Sequence, residues 1–382
     1  MLSAQYATTT LPEHAEALRQ EVRTFLKETL GDYPPTRRME SWMGFDADFT
    51  RALAGKGWIG MTWPSQYGGQ GKDAFSRYVL VEELLAFGAP VLAHWTADRQ
   101  SGPLILRYGS EEQKQRHLPA ICRGEAFFCI GMSEPDSGSD LAAARTRAVK
   151  VDGGWVLNGT KLWTTNAHRC QWMITLVRTS DHEKKHKGLS QFIVDLHSPG
   201  VTVRPIHDLA GESHFNEVVF QDVFLPDDSL IGAEGDGWKQ VLAELALERS
   251  GPERYLSSAA LMTELLRVAA TRASERTSVA LGGLLAEMVV LRQMSMSIAG
   301  QLEAGQNPNV EAAVVKDLGT LLEQRLPELA HELFDELPSV DGGSDYARVL
   351  AYITQVTPSF SLRGGTREIL RGIIARGVGL GS

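Results

Sequence analysis

A turn rich in hydroxyl and acidic side chains follows a short apolar run. It reads Ile130-Gly131-Met132-Ser133-Glu134-Pro135-Asp136-Ser137-Gly138-Ser139-Asp140. Pro135 fixes one φ angle, and Gly138 permits a left-handed or closely approached backbone. Such a turn can point successive backbone N–H groups into one concavity, which suits an electron-rich ligand edge or a phosphate. An ordinary loop between strands is the alternative that this segment alone leaves open.

A second segment combines an aromatic ring with hydroxyl groups. It reads Gly159-Thr160-Lys161-Leu162-Trp163-Thr164-Thr165-Asn166-Ala167, and a hairpin turn at Asn158 and Gly159 is predicted to start it. Strand alternation predicts Trp163 and Thr165 on one face. An indole beside a hydroxyl can cover a planar heterocycle and hydrogen-bond its edge. A core tryptophan beside a satisfied threonine is the alternative.

A carboxylate on a predicted helix is the third candidate. Glu248 lies three residues after Leu245 and seven after Val241, so it continues an apolar stripe along one helix face. The predicted members of the stripe are Trp238, Val241, Leu242 and Leu245. A carboxylate on that face is desolvated, which raises its pKa towards the range of a general base.

Two features next to Glu248 bear on its role. Pro252 has no N–H to donate to the Glu248 carbonyl, so the helix is predicted to open there. An ion pair between Glu248 and Arg249 or Arg254 at a helix interface is the alternative to catalysis.

The composition is that of an ordinary globular protein. The 382 residues are 43% hydrophobic and 22% charged, and the net charge is −9. These values exclude a disordered chain, and the negative charge argues against nucleic acid or an anionic membrane surface as a partner. No segment is predicted to span a bilayer, and the N-terminal residues lack the pattern of a secretory signal. Cys122, Cys129 and Cys170 show no CxxC spacing, which favours a reducing, cytoplasmic location.

Hydrophobic periodicity divides the chain into three domains, 1–124, 125–235 and 236–382. The first is predicted to be helical and to begin with a helix over 13–30. The second is a run of short strands separated by turn signals, which predicts a small antiparallel barrel or sandwich. The third is predicted to be a helical bundle.

Local signals refine this prediction. Ser110 is expected to cap a helix, because two glutamates follow it. Helices are predicted over 280–299 and 312–326, with Pro327 starting a further helix. The charged segment 181–188 lies between two predicted strands and is interpreted as a solvated hairpin tip, not a metal site. No metal site is predicted elsewhere.

Together these motifs resemble the acyl-CoA dehydrogenase family, and the resemblance covers nearly the whole chain. The segments that carry it are Trp63-Pro64 with Tyr67-Gly68-Gly69, Tyr108–Lys114, Gly131–Ala143, Lys161–Asn166 and Thr366–Arg371. The resemblance implies an α+β fold, with an N-terminal α-helical domain, a central β-barrel domain and a C-terminal domain like a four-helix bundle. It also implies FAD at the junction of the β domain and the bundle.

The implied reaction is α,β-dehydrogenation of an acyl-CoA thioester, with electrons passed to an electron-transferring flavoprotein. In it a carboxylate removes the α-proton while the β-hydrogen leaves as hydride to the flavin. By the resemblance, Ser133 and its neighbouring backbone would bind the flavin's pyrimidine edge, Trp163 would shield one flavin face, and Thr165 would hydrogen-bond near N5. The implied cofactor-binding residues are Met132, Ser133, Gly138, Ser139, Trp163, Thr164, Thr165, Thr366 and Glu368. The implied substrate-binding residues are Ser139, Arg249 and Gly364, with Ser139 near the pantetheine or a phosphate.

The position of the base departs from the commonest family pattern. Many members carry a catalytic Glu where this chain has Gly364, and a glycine cannot take a proton. Glu248 matches the base position of the isovaleryl-CoA and long-chain types, and it is the expected catalytic residue. Two alternatives stay open: a non-catalytic acyl-CoA-binding subunit of a heteromeric flavoprotein, and a flavin oxidase or monooxygenase on the same scaffold.

A second departure concerns assembly. Family members usually carry Arg-x-x-Phe-Gly and Gln-x-x-Gly-Gly stretches that hold the adenosine half of a neighbouring subunit's FAD. Here Arg272–Leu281 has no Phe-Gly, and Ser339 stands where Gln is expected. Although Arg272, Arg276 or Arg292 can supply a substitute cation, a heterotetramer with a related subunit is expected over a homotetramer. The heterotetrameric acyl-CoA dehydrogenases of bacterial steroid degradation are the resembling type, which implies a bulky acyl group.

Overall fold

The computed structural model describes residues 5–272 and 274–380, apart from the side chains of residues 244–248. The chain divides into two units, each with its own interior. The first unit comprises Met1–Asp46, Lys72–Leu92 and Ala246–Ser382, and the second comprises Ala47–Gly71 and Ala93–Leu245. The first is helical, and the second combines a sheet with shorter helices.

The α-helices are numbered in chain order. They are α1 Glu13–Leu30, α2 Pro35–Arg38, α3 Ala47–Gly55, α4 Ala74–Phe87, α5 Leu92–Thr96, α6 Gly102–Tyr108, α7 Glu111–Cys122, α8 Gly237–Glu248, α9 Ala259–Thr271, α10 Glu275–Glu303, α11 Asn309–Leu333, α12 Asp345–Phe360 and α13 Arg367–Gly377. The strands are β1 Phe128–Gly131, β2 Arg147–Val151, β3 Gly154–Thr165, β4 Trp172–Arg178, β5 Leu189–Asp195, β6 Val201–Ile206 and β7 Phe215–Pro226. The predicted fold class, helices followed by strands and then by helices, is confirmed.

The strands form one sheet in the order β1-β4-β2-β3-β7-β6, with β5 paired to β4. Most pairs are antiparallel, as predicted. The prediction of a purely antiparallel arrangement is wrong at β4. Strand β1 runs parallel to it from Phe128 beside Trp172 to Gly131 beside Thr175, and β2 pairs with it in parallel at Arg147 and Arg178. Gly131, at the end of β1, therefore lies beside Thr175 of β4, and the turn that contains Ser133 begins there.

Two predicted boundaries are wrong. The turn expected at Asn158 and Gly159 lies within β3, because Gly159 (φ 141°) takes part in a register shift and the strand continues to Thr165. Pro327 lies inside α11 and does not start a new helix.

The cap predicted at Ser110 is confirmed. The Gln113 N–H donates to Ser110 Oγ at 3.2 Å, and the Ser110 N–H donates to Gln113 Oε1 at 3.0 Å. This reciprocal pair satisfies two of the N–H groups that a helix leaves without partners at its first turn. Gln113 Nε2 also donates to the carbonyl oxygens of Asp228 and Leu230, at 2.6 and 3.0 Å, and so joins α7 to the segment after β7.

Buried charged groups, in addition to apolar contacts, stabilise the packing of the helical unit. Arg19 of α1 pairs with Glu82 and Glu83 of α4, and all three side chains are buried. Lys316 is fully buried on α11 and donates to the Phe360 carbonyl oxygen at 3.0 Å. A buried charge costs little only when it has such partners, so these contacts fix how the helices of this unit pack.

The helix α10 corrects one expectation from the sequence. By length and composition alone it is apolar enough to cross a membrane, although no such segment was predicted. A single helix of this kind is weak evidence, because a core helix of a soluble protein passes the same test. Its apolar surface is largely open: Val279, Val289 and Val290 are 71%, 61% and 57% exposed.

Candidate active site

An irregularity in β3 presents Trp163 at the surface of the sheet-containing unit. Lys161 pairs with Val218 of β7, and the next pair is Thr164 with Asn216, so β3 carries one extra residue there. Trp163 adopts a left-handed φ of 61°, which is rare for a bulky residue. Its indole is 56% exposed. A strained, exposed aromatic ring is typical of a position that meets a ligand.

The predicted alternation along this strand holds at the surface. Thr164 is buried, whereas Trp163 is exposed and Thr165 is half-buried. The Trp163 ring meets Phe215 edge to face at a centroid distance of 6.1 Å. Phe215 of β7 thus supports the indole on one side, and a shared face for Trp163 and Thr165 stays a prediction.

The two motifs that were singled out in the sequence meet at this irregularity. The Leu162 N–H donates to the Ser133 carbonyl oxygen at 2.9 Å. Lys161 Nζ donates to the Met132 carbonyl oxygen at 3.1 Å. The turn after β1 is therefore bonded directly to the strand that carries Trp163.

A buried ion pair secures this junction. Lys161 Nζ donates to Glu134 Oε1 at 2.8 Å, and neither side chain is more than 7% exposed. Glu134 also accepts the backbone N–H groups of Arg145 and Thr146, at 2.6 and 2.9 Å. Burial lowers the pKa of Lys161 to about 8, which outweighs the attraction of Glu134. Burial opposes the charge of Glu134 too, but Lys161 and the two N–H groups hold the pKa of Glu134 below its usual value.

The sequence motifs contain Glu134 and Lys161, but no role was predicted for either residue. The sequence did contain a signal that Lys161 is buried. In a strand alternate residues share one face, and Lys161 is an even number of residues from Trp155 and Leu157, which are both buried. A buried lysine is costly without hydrogen-bonding or charged partners, so its position indicated a buried polar group beside it.

The turn after Ser133 is open at its tip. The Glu134 N–H donates to the Ser137 carbonyl oxygen at 2.7 Å, which closes the turn. Gly138 and Ser139 are exposed, and a Cβ atom at Gly138 would have no neighbour within 4 Å. Ser137 Oγ is buried and has no hydrogen-bond partner in the described part of the chain. The tip therefore has open space beside Gly138.

These residues fit a planar, electron-rich heterocycle. Among residues 5–272 and 274–380, the hydroxyls of Ser133 and Thr165 make no hydrogen bond, and both residues are half-buried beside the exposed indole. Buried Thr164 Oγ1 and Asn166 Nδ2 also have no partner there. Polar groups left in this state are rare in native proteins and are expected where a ligand supplies the missing partner.

In the helical unit, α8 ends at Glu248, as Pro252 predicts. The Glu248 side chain lies outside the described residues, so its catalytic role stays a prediction. The prediction that Leu242 belongs to the buried apolar stripe is wrong, because Leu242 is 54% exposed whereas Val241 is 3% exposed. Arg249 follows directly, is 5% exposed, and donates from Nε to the Gly364 carbonyl oxygen at 3.0 Å.

Gly364 stands where many family members carry the catalytic carboxylate. Its φ is 67°, a left-handed value that favours glycine. A Cβ atom there would lie 3.0 Å from Nη2 of Arg254, which is itself 3% exposed and pairs with Glu253 at 3.2 Å. A guanidinium thus occupies the space beside position 364.

Another buried carboxylate of this unit has a structural explanation. Glu323 accepts the Ser257 N–H at 2.7 Å and an Arg363 N–H at 2.8 Å. Burial raises its pKa, and Arg363 and Ser257 oppose that change only partly. Arg363 lies over the rings of Trp42 and Phe360, at 4.5 and 4.2 Å from their centroids. The group is an interior ion pair of the bundle.

Thr366 and Glu368 lie at the first turn of α13. Thr366 Oγ1 is the cap of the helix and lies 3.5 Å from the Ile369 N–H. Glu368 is exposed, and its pKa is lowered by its own backbone N–H and by Thr366. Arg371 reaches Asp317 at 3.4 Å. Arg367 contacts the same carboxylate at 2.7 Å, so both of these cations of α13 pair with α11.

Other polar groups of the sheet-containing unit have ordinary packing roles. His94 Nδ1 lies 3.0 Å from Thr50 Oγ1, and Asp98 Oδ1 accepts the Gly60 N–H at 2.7 Å. The charged segment 181–188 connects antiparallel β4 and β5, as a hairpin tip would.

A sheet with such a bonded turn, in a chain that also forms a helical bundle, is the architecture of a flavoprotein oxidoreductase. Three family models match the chain: acyl-CoA dehydrogenase N-terminal domain over residues 12–125, middle domain over 129–223, and C-terminal domain over 235–379. The chain belongs to the acyl-CoA dehydrogenase family, as the motifs predicted.

Similar proteins agree with this assignment. Acyl-CoA dehydrogenase FadE34 of Mycobacterium tuberculosis is 36% identical over 332 residues, which are 85% of this chain and 45% of that protein. Acyl-CoA dehydrogenase IpdE1 of the same organism is 32% identical over 388 residues, 96% of this chain and 97% of that protein. The chain thus spans less than half the length of the first relative and nearly the whole of the second.

Solved structures share the fold over nearly the whole chain. One is described as the Tcur3481–Tcur3483 steroid ACAD, with 26% identity, a TM-score of 0.86, and coverage of 97% of this chain and 98% of that one. Another is the ChsE4–ChsE5 complex from Mycobacterium tuberculosis, with 28% identity, a TM-score of 0.85 and the same coverage.

Proposed function

We propose that this chain binds FAD and dehydrogenates an acyl-CoA thioester to the trans-2-enoyl-CoA. The observation that carries the proposal is the exposed Trp163 indole, held at a left-handed φ beside Thr165 on a strand that is bonded to the Ser133 turn. Family membership supports the same chemistry. FAD, when bound, supplies the hydride acceptor.

The residues of the sheet-containing unit would hold and orient the flavin ring. Backbone groups of the open turn offer donors to the ring edge. Trp163 covers one ring face, and Thr165 donates to the ring beside it. The proposed cofactor-binding residues of this unit are Met132, Ser133, Gly138, Ser139, Trp163, Thr164 and Thr165.

The helical unit would contribute to both ligands. Thr366 and Glu368, at the first turn of α13, are proposed to bind the cofactor. Arg249 and Gly364 are proposed to bind the substrate, and Ser139 is a further proposed substrate-binding residue. Gly364 has no side chain, so it would contribute only backbone groups, and the bond from Arg249 to its carbonyl oxygen keeps these two residues together.

Glu248 is the proposed base that removes the α-proton. Support comes from Gly364, which has no carboxylate and has Arg254 beside it, and from Glu253 and Glu323, which are held in ion pairs. Glu248, at the end of α8, matches the base position of the isovaleryl-CoA and long-chain types that the sequence resembles. Removal of a proton by a positioned carboxylate typically accelerates such a step by about 10²–10⁴-fold.

We further propose that the electrons pass to an electron-transferring flavoprotein, which rests on the family resemblance. We propose that the chain acts in the cytoplasm, which rests on the cysteine pattern. We also propose that it has the three domains 1–124, 125–235 and 236–382. The ranges of the three matching family models support the domain division.

A heterotetramer, with two copies of this chain and two of a related chain, is the proposed assembly. The missing Phe-Gly and the Ser339 substitution leave this chain poorly equipped to hold a neighbour's adenosine. The open apolar side chains of α10, Val279, Val289 and Val290, offer a surface for a chain of the same fold. Complexes with paired names among the similar structures, and a relative more than twice the aligned length, support a second related chain.

A bulky, steroid-derived acyl group is the proposed substrate class. Its support is the similarity, at 26% identity over nearly the whole chain, to a structure described as a steroid ACAD. Straight-chain acyl-CoA thioesters are the comparison that tests it.

Anaerobic titration of the purified, FAD-loaded protein tests the proposed function. Addition of steroid-derived acyl-CoA thioesters is expected to bleach the flavin absorbance, and straight-chain thioesters are expected to bleach it more slowly. A yellow protein that no thioester bleaches would contradict dehydrogenation and favour a binding subunit. Rapid oxygen consumption with substrate in air would instead indicate an oxidase.

A further inference from the structure

A series of hydrogen bonds runs from the surface of the sheet-containing unit to the backbone beside Trp163. Arg169 Nε lies 3.1 Å from His168 Nε2, and His168 Nδ1 lies 2.8 Å from Asn216 Oδ1. Asn216 Nδ2 lies 2.9 Å from the Thr164 carbonyl oxygen. Asn216 and Thr164 are buried, whereas His168 and Arg169 are exposed. The series thus joins an exposed cation to a buried peptide group.

The chemistry of the groups fixes the direction of every bond. A carbonyl oxygen only accepts, so Asn216 turns its amide nitrogen to Thr164 and its amide oxygen to His168. His168 therefore carries a proton on Nδ1 and donates it to Asn216. A guanidinium only donates, so the lone pair of His168 Nε2 faces Arg169. All three donors point towards the Thr164 carbonyl.

This arrangement requires a neutral imidazole at His168. Although His168 is exposed as a residue, partial burial of its imidazole lowers its pKa, the hydrogen bond to Asn216 opposes this change, and the positive charge of Arg169 lowers the pKa further. The direction of the change agrees with the neutral form that the bond directions require. His168 then has one defined tautomer, with the proton on Nδ1.

The peptide group that receives these bonds also contains the N–H of Thr165. The Asn166 N–H donates to the His214 carbonyl oxygen at 2.8 Å, and Thr165 lies opposite Phe215 in the register of β3 and β7. The bond from Asn166 to His214 joins the residue after Thr165 to the residue before Phe215. In an antiparallel ladder this pattern surrounds a non-hydrogen-bonded pair, so Thr165 and Phe215 exchange no backbone hydrogen bond. The Thr165 N–H therefore points away from β7.

We propose that Arg169, His168 and Asn216 are positioning residues that strengthen the Thr165 N–H as a donor to the flavin ring. Hydrogen bonds in series polarise one another, so electron density drawn from the Thr164 carbonyl makes the N–H of the same peptide a better donor. The inference rests on the proposed function, which places the ring at Thr165. A stronger donor there stabilises the electron-rich reduced ring and raises its reduction potential.

Two substitutions of the exposed His168 separate the series from simple packing. His168→Gln keeps one donor for Asn216 and one acceptor for Arg169, because an amide carries both groups. His168→Leu removes both. His197→Leu is the matched control, since His197 is an exposed histidine of the same unit whose partner is Asp195.

The first measurement needs no flavin. Histidine-selective NMR of the flavin-free chain at neutral pH is expected to show His168 as the neutral Nδ1–H tautomer, with its signals assigned by their loss in His168→Gln. The Nε2–H tautomer, or a charged imidazole, would overturn the series of bonds.

The second measurement is the flavin reduction potential of the FAD-loaded protein, purified with any partner that it brings. His168→Leu is expected to shift the equilibrium towards the oxidised flavin by roughly tenfold, which is about 30 mV for a two-electron couple. His168→Gln is expected to restore most of the shift, and His197→Leu to cause none. Equal potentials in His168→Leu and the unaltered protein would overturn the coupling, whatever the tautomer. A protein that binds no FAD at all would contradict the proposed function and, with it, the coupling to the flavin. The NMR measurement would then test only the directions of the hydrogen bonds.

Discussion

Lys161 Nζ lies 2.8 Å from Glu134 Oε1, and this buried contact joins the strand that carries Trp163 to the turn that carries Ser133. Lys161 and Glu134 are 27 residues apart in the sequence, and their ion pair is one of the contacts that hold the two segments together. Either charge alone would be costly at this depth, because the surrounding protein replaces only part of its hydration. The geometry of the proposed flavin site therefore depends on both charges.

Replacement of Lys161 by Met is expected to lower the free energy of unfolding by about 3–5 kcal/mol, because Glu134 would be left buried without its cation. Urea unfolding followed by circular dichroism measures the change. Lys184→Met is the control, since Lys184 is exposed and its side chain makes no hydrogen bond or ion pair among the described residues. Equal losses in the two variants would show that the ion pair is not responsible.

The pH dependence of stability gives a second test of the same pair. Burial lowers the pKa of Lys161 to about 8, below the usual value of about 10.4 in an unfolded chain. Between these two values the unfolded chain binds more protons than the folded one, so the contribution of Lys161 makes stability rise with pH. The difference in unfolding free energy between the unaltered protein and Lys161→Met is expected to increase from about pH 8 to about pH 10.4. A difference that is flat or falls over this window would contradict the lowered pKa.

Sequence patterns predicted local features whose causes are local. The cap at Ser110 depends on side chains three residues apart, and the structure contains it. Trp163 was singled out, but its left-handed φ was not predicted, because the extra residue in β3 is defined only by the pairing with β7. The continuation of β3 through Gly159 has the same origin.

Other misses have long-range causes as well. Pro327 has the local signature of a helix start, but packing within the bundle keeps α11 continuous through it. His168 and Asn216 are 48 residues apart, and no spacing rule links a loop histidine to an asparagine on another strand. Such contacts follow from the register of the sheet, which the sequence did not specify.

Substitution of Glu248 by Gln is expected to reduce turnover by about 10²-fold or more while FAD and acyl-CoA binding persist, because the amide cannot accept the α-proton. Stopped-flow reduction of the flavin measures the rate, and titration measures the binding. Glu332→Gln is the control, since Glu332 is an exposed carboxylate of the same unit. Near-native turnover in Glu248→Gln would show that another group is the base.

Thr165→Val is expected to shift the flavin absorbance and to slow flavin reduction, because the hydroxyl that would meet the ring is lost at nearly constant volume. Thr202→Val, on an exposed position of β6, is expected to change neither. Absorbance spectra and anaerobic reduction rates of both variants check the prediction. Unchanged spectrum and rate in Thr165→Val would remove the proposed contact.

The chain expressed without a partner is expected to bind less than one FAD per chain, because it lacks the Phe-Gly and Gln groups that would hold a neighbour's adenosine. A buried pyrophosphate without cations and donors is costly, so affinity falls when those groups are absent. Flavin content and mass in solution measure the outcome.

Val289→Asp on α10 is expected to prevent assembly with the related chain, because the new charge would lie in the proposed interface. Val149→Asp on β2 introduces an exposed charge outside that interface and is expected to leave assembly intact. A stable homotetramer with one tightly bound FAD per chain and full activity would contradict the heterotetramer.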